Sequence, residues 1–233
     1  MTMPLNIRPF RILAILALIL PAASWAGTLQ QDLARAAPAA KPEVIRMAVE
    51  ALQCATSGGM EAPRRLAVID YSMPSTLRRL WVFDLKQRRL LHQEFVAHGR
   101  NSGENYASTF SNVTGSYQSS LGLFRTLDSY QGKHGYSMRM EGIEPGVNDN
   151  AFDRAIVMHG APYVNPAMIS KYGRIGRSLG CPAVRPAVAR QLIDHLKGGQ
   201  YLFAYYPDQR WLQSSAFLSC PSQQPAATHV ASR

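Results

Sequence analysis

The sequence predicts a mostly β fold with a few helices (α+β), on three observations. Hydrophobic spacing is helical in one early segment and then switches, from Leu66 onward, to short apolar runs of strand length. Stretches rich in Ser, Asn and Gly separate those runs without sustained periodicity, as surface loops between short strands do. A later helical pattern, Pro186 to Leu196, is brief and ends in Lys197-Gly198-Gly199.

Residues 1–26 read as a cleaved signal peptide. Arg8 and Arg11 form a positive region, Ile12 to Leu20 an apolar core too short for a comfortable membrane span, and Ser24-Trp25-Ala26 the small-residue cleavage site. Residues 27–64 form an alanine-rich lead and then a helix from Pro42 to about Thr56. Proline opens that helix, Val44, Met47, Ala48, Ala51 and Leu52 share one face, and Gly58-Gly59 stops it. Strands follow at Leu66–Asp70 and Leu80–Leu85, the latter alternating Trp81, Phe83 and Leu85 on one face. A polar turn at Lys86–Arg89 leads into a hairpin partner at Leu90–Ala97.

Gly99 to Gly122 reads as loop, Phe124–Leu127 and Tyr136–Met140 as short strands, and Gly142–Asn150 as turn, with Asn148, Asp149 and Asn150 as turn formers. Ile156–Met158 is a buried strand that delivers His159 to its end. The Pro186–Leu196 helix turns Val188, Leu192, Ile193 and Leu196 inward, and Tyr201–Tyr206 closes the domain as a strand. Residues 65–208 thus form the main domain. Residues 209–233 are an extension in which Trp211, Leu212, Phe217 and Leu218 pack back and Ser222 to Arg233 is disordered.

The chain has 233 residues and a formal charge of +10, and it stays strongly basic once Arg8 and Arg11 are removed. Such a protein is attracted to polyanions, which for an exported chain are anionic lipid and wall polymer. Nucleic acid is the weaker reading, because no Lys and Arg cluster is interleaved with aromatics. After export no stable membrane span remains. The three cysteines are Cys54, Cys181 and Cys220, an odd count that suggests one pair and one free thiol. If Cys181 is the free one, Cys54 and Cys220 either pair, stapling the amino-terminal helix to the carboxy-terminal segment, or remain two buried thiols. No spacing typical of a zinc site appears, so no metal and no organic cofactor is expected.

The chemistry concentrates between His159 and Pro182. Cys181 sits in a tight turn, Ser178-Leu179-Gly180-Cys181-Pro182, and His159-Gly160 ends the apolar run Ala155-Ile156-Val157-Met158. A thiol is a strong nucleophile only as thiolate, and a nearby imidazole that takes its proton supplies that state near neutral pH. Cysteine acyl chemistry is the first hypothesis. Arg177, Arg174 and Arg154 are candidates to bind a substrate carboxylate, because guanidinium forks match carboxylates.

Several stretches together carry a resemblance: Ser119-Ser120-Leu121-Gly122, Gly132-Lys133-His134-Gly135-Tyr136-Ser137, Ala155 to Ala161, Gly176 to Pro182, and Gly198-Gly199 before an aromatic strand. From Leu66 to Asp208 the chain resembles the L,D-transpeptidase (YkuD-like) family, in its murein L,D-transpeptidase catalytic domain branch. The resemblance implies a β-sandwich or barrel catalytic domain that releases D-alanine from peptidoglycan stem tetrapeptides and passes the acyl group to an amine, in the periplasm or cell envelope. By position it implies Cys181 as nucleophile, His159 as general base, the Gly160 carbonyl as the group orienting the imidazole, backbone amides around Gly180 and Cys181 as oxyanion hole, and Ser178 holding the turn.

Leu179 departs from the family pattern, which commonly has histidine there and an isoleucine or valine followed by arginine after the cysteine, where this chain has Pro182 and Ala183. His134 is read as a second polar group or as a loop residue shaping the pocket, and His92, His98, His195 and His229 as surface or packing residues. Three alternatives stand beside transpeptidation: an L,D-carboxypeptidase using water as acceptor, a wall amidase or endopeptidase of another cysteine fold, and a wall-binding module without catalysis. The second is disfavoured because those chains usually place the cysteine before the histidine.

Overall fold

The computed structural model describes residues 27–220. The segment read as a signal peptide, the carboxy-terminal tail and His229 lie outside the described residues. Helix α1 (Leu29–Ala36) occupies what reads in the sequence as an irregular lead. Thr28 Oγ1 accepts from the Gln31 N–H while Gln31 Oε1 accepts from the Thr28 N–H, a reciprocal cap that starts a helix too short to declare itself by periodicity. Helix α2 (Pro42–Ser57) runs as expected, with Pro42 in its first turn and Gly58 at its end. It buries Val44, Ile45, Ala48, Val49, Ala51, Leu52 and Ala55, each Val, Ile or Leu worth about 1.5–3 kcal/mol. Among the described residues no helix is long and apolar enough to cross a membrane.

Eight strands form one sheet: β1 (Arg65–Asp70), β2 (Leu80–Asp84), β3 (Arg89–Glu94), β4 (Gly122–Gly132), β5 (Gly135–Gly142), β6 (Val157–Gly160), β7 (Ala183–Val184) and β8 (Tyr201–Tyr205). Their spatial order is β3-β2-β1-β8-β4-β5-β6-β7, with β1/β8 and β6/β7 parallel and the other pairs antiparallel. The chain leaving β3 crosses to the opposite end of the sheet, where Ala97 bridges Ala183 and Gly99 bridges Ser178. Both ends are thereby tied, and the result is a nearly closed, barrel-like sheet with few helices.

The strand pattern in β2 differs from the expected alternation, because all five of its residues are buried, as are Leu66 to Asp70 of β1 and all of β8. Helices α2 and α4 (Pro186–Leu196) both pack on this sheet, so its central strands have no solvent face. In α4 the buried residues are Ala189, Leu192, Ile193 and Leu196, and the expected Val188 is half-buried and packs against the same core. Two short helices, α3 (Ala167–Tyr172) and α5 (Gln209–Ser214), and the two-residue β7 were not legible as periodic segments.

Helix α5 realises the expected packing of the carboxy-terminal segment. Asp208 caps it, and the buried Glu144 carboxylate accepts from Trp211 Nε1 at 3.1 Å, Ser215 Oγ at 2.7 Å and the Leu123 N–H at 2.7 Å. Cys54 on α2 is disulfide-bonded to Cys220, with Cα atoms 5.8 Å apart. Cys181 is the free cysteine.

Candidate active site

Strand β6 sets the first half of the site. Ala155 enters it with φ 54°, a left-handed conformation that costs a non-glycine residue about 1–2 kcal/mol. His159 follows within the strand and is buried. Its Nδ1 lies 3.0 Å from the Gly160 carbonyl. A carbonyl can only accept, so Nδ1 carries the proton and Nε2 keeps its lone pair. Gly160 is tightly enclosed by α4: a Cβ there would lie 2.9 Å from Ala189 Cβ and 3.2 Å from Pro186 Cα. Burial lowers the proton affinity of His159 below the ordinary histidine value, opposed by the Gly160 carbonyl and assisted by the neighbouring His134 ring.

The second half is the turn that leads into β7. Ser178 Oγ donates to the Cys181 carbonyl at 2.6 Å and accepts the Gly180 N–H at 3.1 Å, so one hydroxyl spans the turn. Gly180 has φ +122°, and a Cβ there would come within 2.9 Å of the Gln118 carbonyl oxygen and of Ile156 Cδ1. Ser119 Oγ donates to the Gly180 carbonyl at 3.0 Å from behind. The Gly180 amide, expected in an oxyanion hole, donates to Ser178 Oγ in this structure.

Pairing of β6 with β7 brings the halves together. His159 is in register with Ala183, two residues beyond Cys181. The Cys181 sulfur accepts the Val157 N–H at 3.5 Å and faces the Ala155 carbonyl at 3.8 Å. No hydrogen bond joins it to His159 in this structure. Burial pushes the Cys181 thiol up from its ordinary value, opposed by the Val157 N–H and by the Arg154 and Lys133 charges. The resting pair is therefore a neutral thiol and a neutral imidazole.

Cys181 opens on a cavity of about 230 Å³ lined also by Tyr117, Tyr130, Lys133, His134, Arg154, Ala155 and Leu179. His134 stacks on His159, ring centroids 4.5 Å apart and 24° from parallel, and this loop residue borders both His159 and the cavity. Arg154 reaches the cavity wall with its guanidinium already engaged: Nη1 donates to the Ser111 carbonyl and Ser120 Oγ, Nη2 to Ser116 Oγ and the Gln118 carbonyl.

Arg174 and Arg177 lie elsewhere. Both hold Glu104, at 2.9 and 2.7 Å, and Arg177 also donates to the Arg100 and Gly103 carbonyls. The carboxylate they hold in this structure is the chain's own, and neither arginine lines the cavity at Cys181. Among the described residues no three His, Cys, Asp or Glu side chains cluster as a metal site.

A buried polar network behind the turn was not anticipated. Arg79, fully buried, donates to His98 Nδ1 at 2.7 Å and to the Met73 and Val96 carbonyls, with its guanidinium 5.2 Å from the Tyr71 ring centre. Arginine only donates, so His98 Nδ1 is the acceptor and its Nε2–H faces the Gly103 carbonyl at 3.3 Å. Burial, and next the Arg79 charge, hold His98 down to about 3. Burial likewise lowers Arg79 to about 10 and raises Tyr71, whose ring lies beside Ser119, to about 12. The His98 carbonyl accepts the Ser178 N–H at 2.9 Å, so this network fixes the backbone on which the turn sits. In the sequence, Ser119 stands inside a motif without a role, and His98 reads as a surface or packing residue; the structure buries it.

The family described as the L,D-transpeptidase catalytic domain matches residues 36–205. No curated protein sequence matches the chain. Among solved structures it is similar to an L,D-transpeptidase from Mycobacterium smegmatis, at 15% identity and TM-score 0.37, covering 61% of this chain and 59% of that one. An L,D-transpeptidase from Xylanimonas cellulosilytica matches at 17% identity and TM-score 0.34, covering 66% and 68%. L,D-transpeptidase 3 from Mycobacterium tuberculosis, in complex with a faropenem-derived adduct, matches at 15% identity and TM-score 0.39, covering 62% and 61%. The chain spans less than two thirds of the length of both mycobacterial proteins.

Proposed function

Because the chain belongs to the L,D-transpeptidase catalytic domain family, we propose that it is an exported cysteine acyltransferase that acts on peptidoglycan stem tetrapeptides, releasing D-alanine and joining the acyl group to an acceptor amine. One observation carries the reading. The free thiol of Cys181 opens on a cavity beside a strand whose buried His159 is fixed, by the Gly160 carbonyl, in the tautomer that leaves Nε2 basic.

In the first half-reaction His159 Nε2 takes the thiol proton as the sulfur attacks the carbonyl of the L-centre. The tetrahedral oxyanion faces the Cys181 N–H. On collapse the C–N bond breaks, the imidazolium gives its proton to the leaving D-amino acid, and a thioester remains. In the second, an acceptor amine attacks the thioester, His159 takes the amine proton, and the C–S bond breaks to restore the thiol. Ser178 keeps the sulfur in place throughout, since its hydroxyl fixes both Gly180 and Cys181.

Incubation with disaccharide-tetrapeptide tests the reading. Crosslinked dimer with released D-alanine is the expected product. Trimmed tripeptide alone would make the enzyme an L,D-carboxypeptidase, and substrate bound but unaltered would make it a binding module.

A further inference from the structure

The walls of the Cys181 cavity carry only one sign of charge. Its charged lining residues are Lys133 and Arg154, with no Asp or Glu. Arg154 is spent on two hydroxyls and two carbonyls. Lys133 is not: no carboxylate lies within 4.0 Å of its ammonium among the described residues, and it is exposed at the turn between β4 and β5, where Gly132 pairs with Gly135. The turn consists of Lys133 and His134, and the stacking of His134 on His159 holds it over the cavity.

We propose that Lys133 is a specificity-determining residue that receives a substrate carboxylate beside the reacting sulfur. The inference rests on the proposed function for the identity of the substrate, and deepens it: the donor peptide is selected as an anion. That carboxylate has two sources in a stem peptide, the terminus of the leaving D-residue and the side chain of the residue that bears the scissile carbonyl. An ammonium on a flexible stem suits either as a point charge. Its charge is also felt at the thiol, together with that of Arg154.

Paired alkylation of Cys181 by iodoacetate and iodoacetamide, followed by intact mass, tests this without any peptide. Both reagents consume the same thiolate, so a change in thiol acidity cancels in the ratio of their rates. The ratio of iodoacetate to iodoacetamide is expected to fall about tenfold in Lys133→Gln and to be kept in Lys133→Arg. A ratio unchanged in Lys133→Gln overturns the proposal.

Donor tetrapeptides amidated at the C-terminus or at the third side chain then identify the source. The Lys133→Gln defect is expected as a raised KM that disappears for one of the two amidated donors and persists for the other. An equal defect on all donors overturns the proposal. If no peptide is turned over by the wild type, the transpeptidase reading fails, and the alkylation ratio alone decides whether the cavity selects anions.

Discussion

At the scale of single residues, the site joins a thiol whose pKa is raised by burial to an imidazole whose pKa is lowered by burial. Neither is charged near neutral pH, so the nucleophile forms only as the proton moves during attack. The rate of acylation by a carbapenem should therefore fall on the acid side, as His159 protonates below about pH 6.5, and stay level through neutrality. His159→Gln should lower the neutral rate by about 10²-fold or more. It should also convert the plateau into a climb of about tenfold per pH unit toward direct thiol ionisation. A wild-type profile that climbs in parallel with the variant removes His159 from its role. That Cys181, His159, Gly160 and Ser178 lie near one another was foreshadowed in the sequence, because His159 ends one apolar run and Cys181 sits in a tight turn, and the pairing of β6 with β7 brings the two together. The fate of Arg174 and Arg177 was not, because their partner Glu104 is about 70 residues away in sequence and meets them only through the loop that follows β3.

At the scale of elements, what proved legible is what carries its own period. Helices α2 and α4 and strands β1 and β8 have enough buried positions to be recognised unaided. Strand β7 has two residues, and it exists because β6 and Ala97 pair with it. Helix α1 depends on a capping box of two side chains. The turn that carries Cys181 belongs with these context-made elements, being held by Ser178 within and by Ser119 and the His98 carbonyl from behind. Ser178→Ala deletes both hydrogen bonds of its hydroxyl, one of them half-buried and charge-free, at about 1–3 kcal/mol. It should slow acylation about tenfold or more while substrate KM changes little, because the sulfur is displaced rather than the cavity. Stopped-flow acylation together with a thermal melt checks this. Unaltered acylation in a destabilised protein would show that the turn keeps its shape without the hydroxyl.

At the scale of the whole molecule, the barrel-like sheet is stitched where its two ends meet, and that seam contains the candidate site around Cys181 and His159. The seam also contains a buried histidine held neutral by its surroundings. His98 titrates near 3 in the fold, with Arg79 and Arg177 as its positive neighbours and the Gly103 and Glu104 backbone opposing them, against about 6.5 in an unfolded chain. The unfolded state binds more protons between those values, so this stability is complete above about pH 6.5 and is lost as pH falls toward 3, by up to about 1.4 kcal/mol per unit. His159 and His92, also lowered, add with the same sign. Urea denaturation should therefore give a stability about 2–3 kcal/mol lower at pH 4.5 than at pH 7, with much of that difference gone in His98→Asn. A difference untouched by the variant would place the acid sensitivity elsewhere. Away from the seam, the Cys54–Cys220 bridge and the Glu144 cluster bind the carboxy-terminal segment to α2 and β4.

The sulfur of Cys181 is the centre on which site, network and fold converge, and intact-mass spectrometry after exposure to a carbapenem tests it most directly. The wild type should gain one covalent adduct and Cys181→Ala, folded and with its disulfide intact, none. An adduct of the same mass on the variant would contradict Cys181 as the nucleophile.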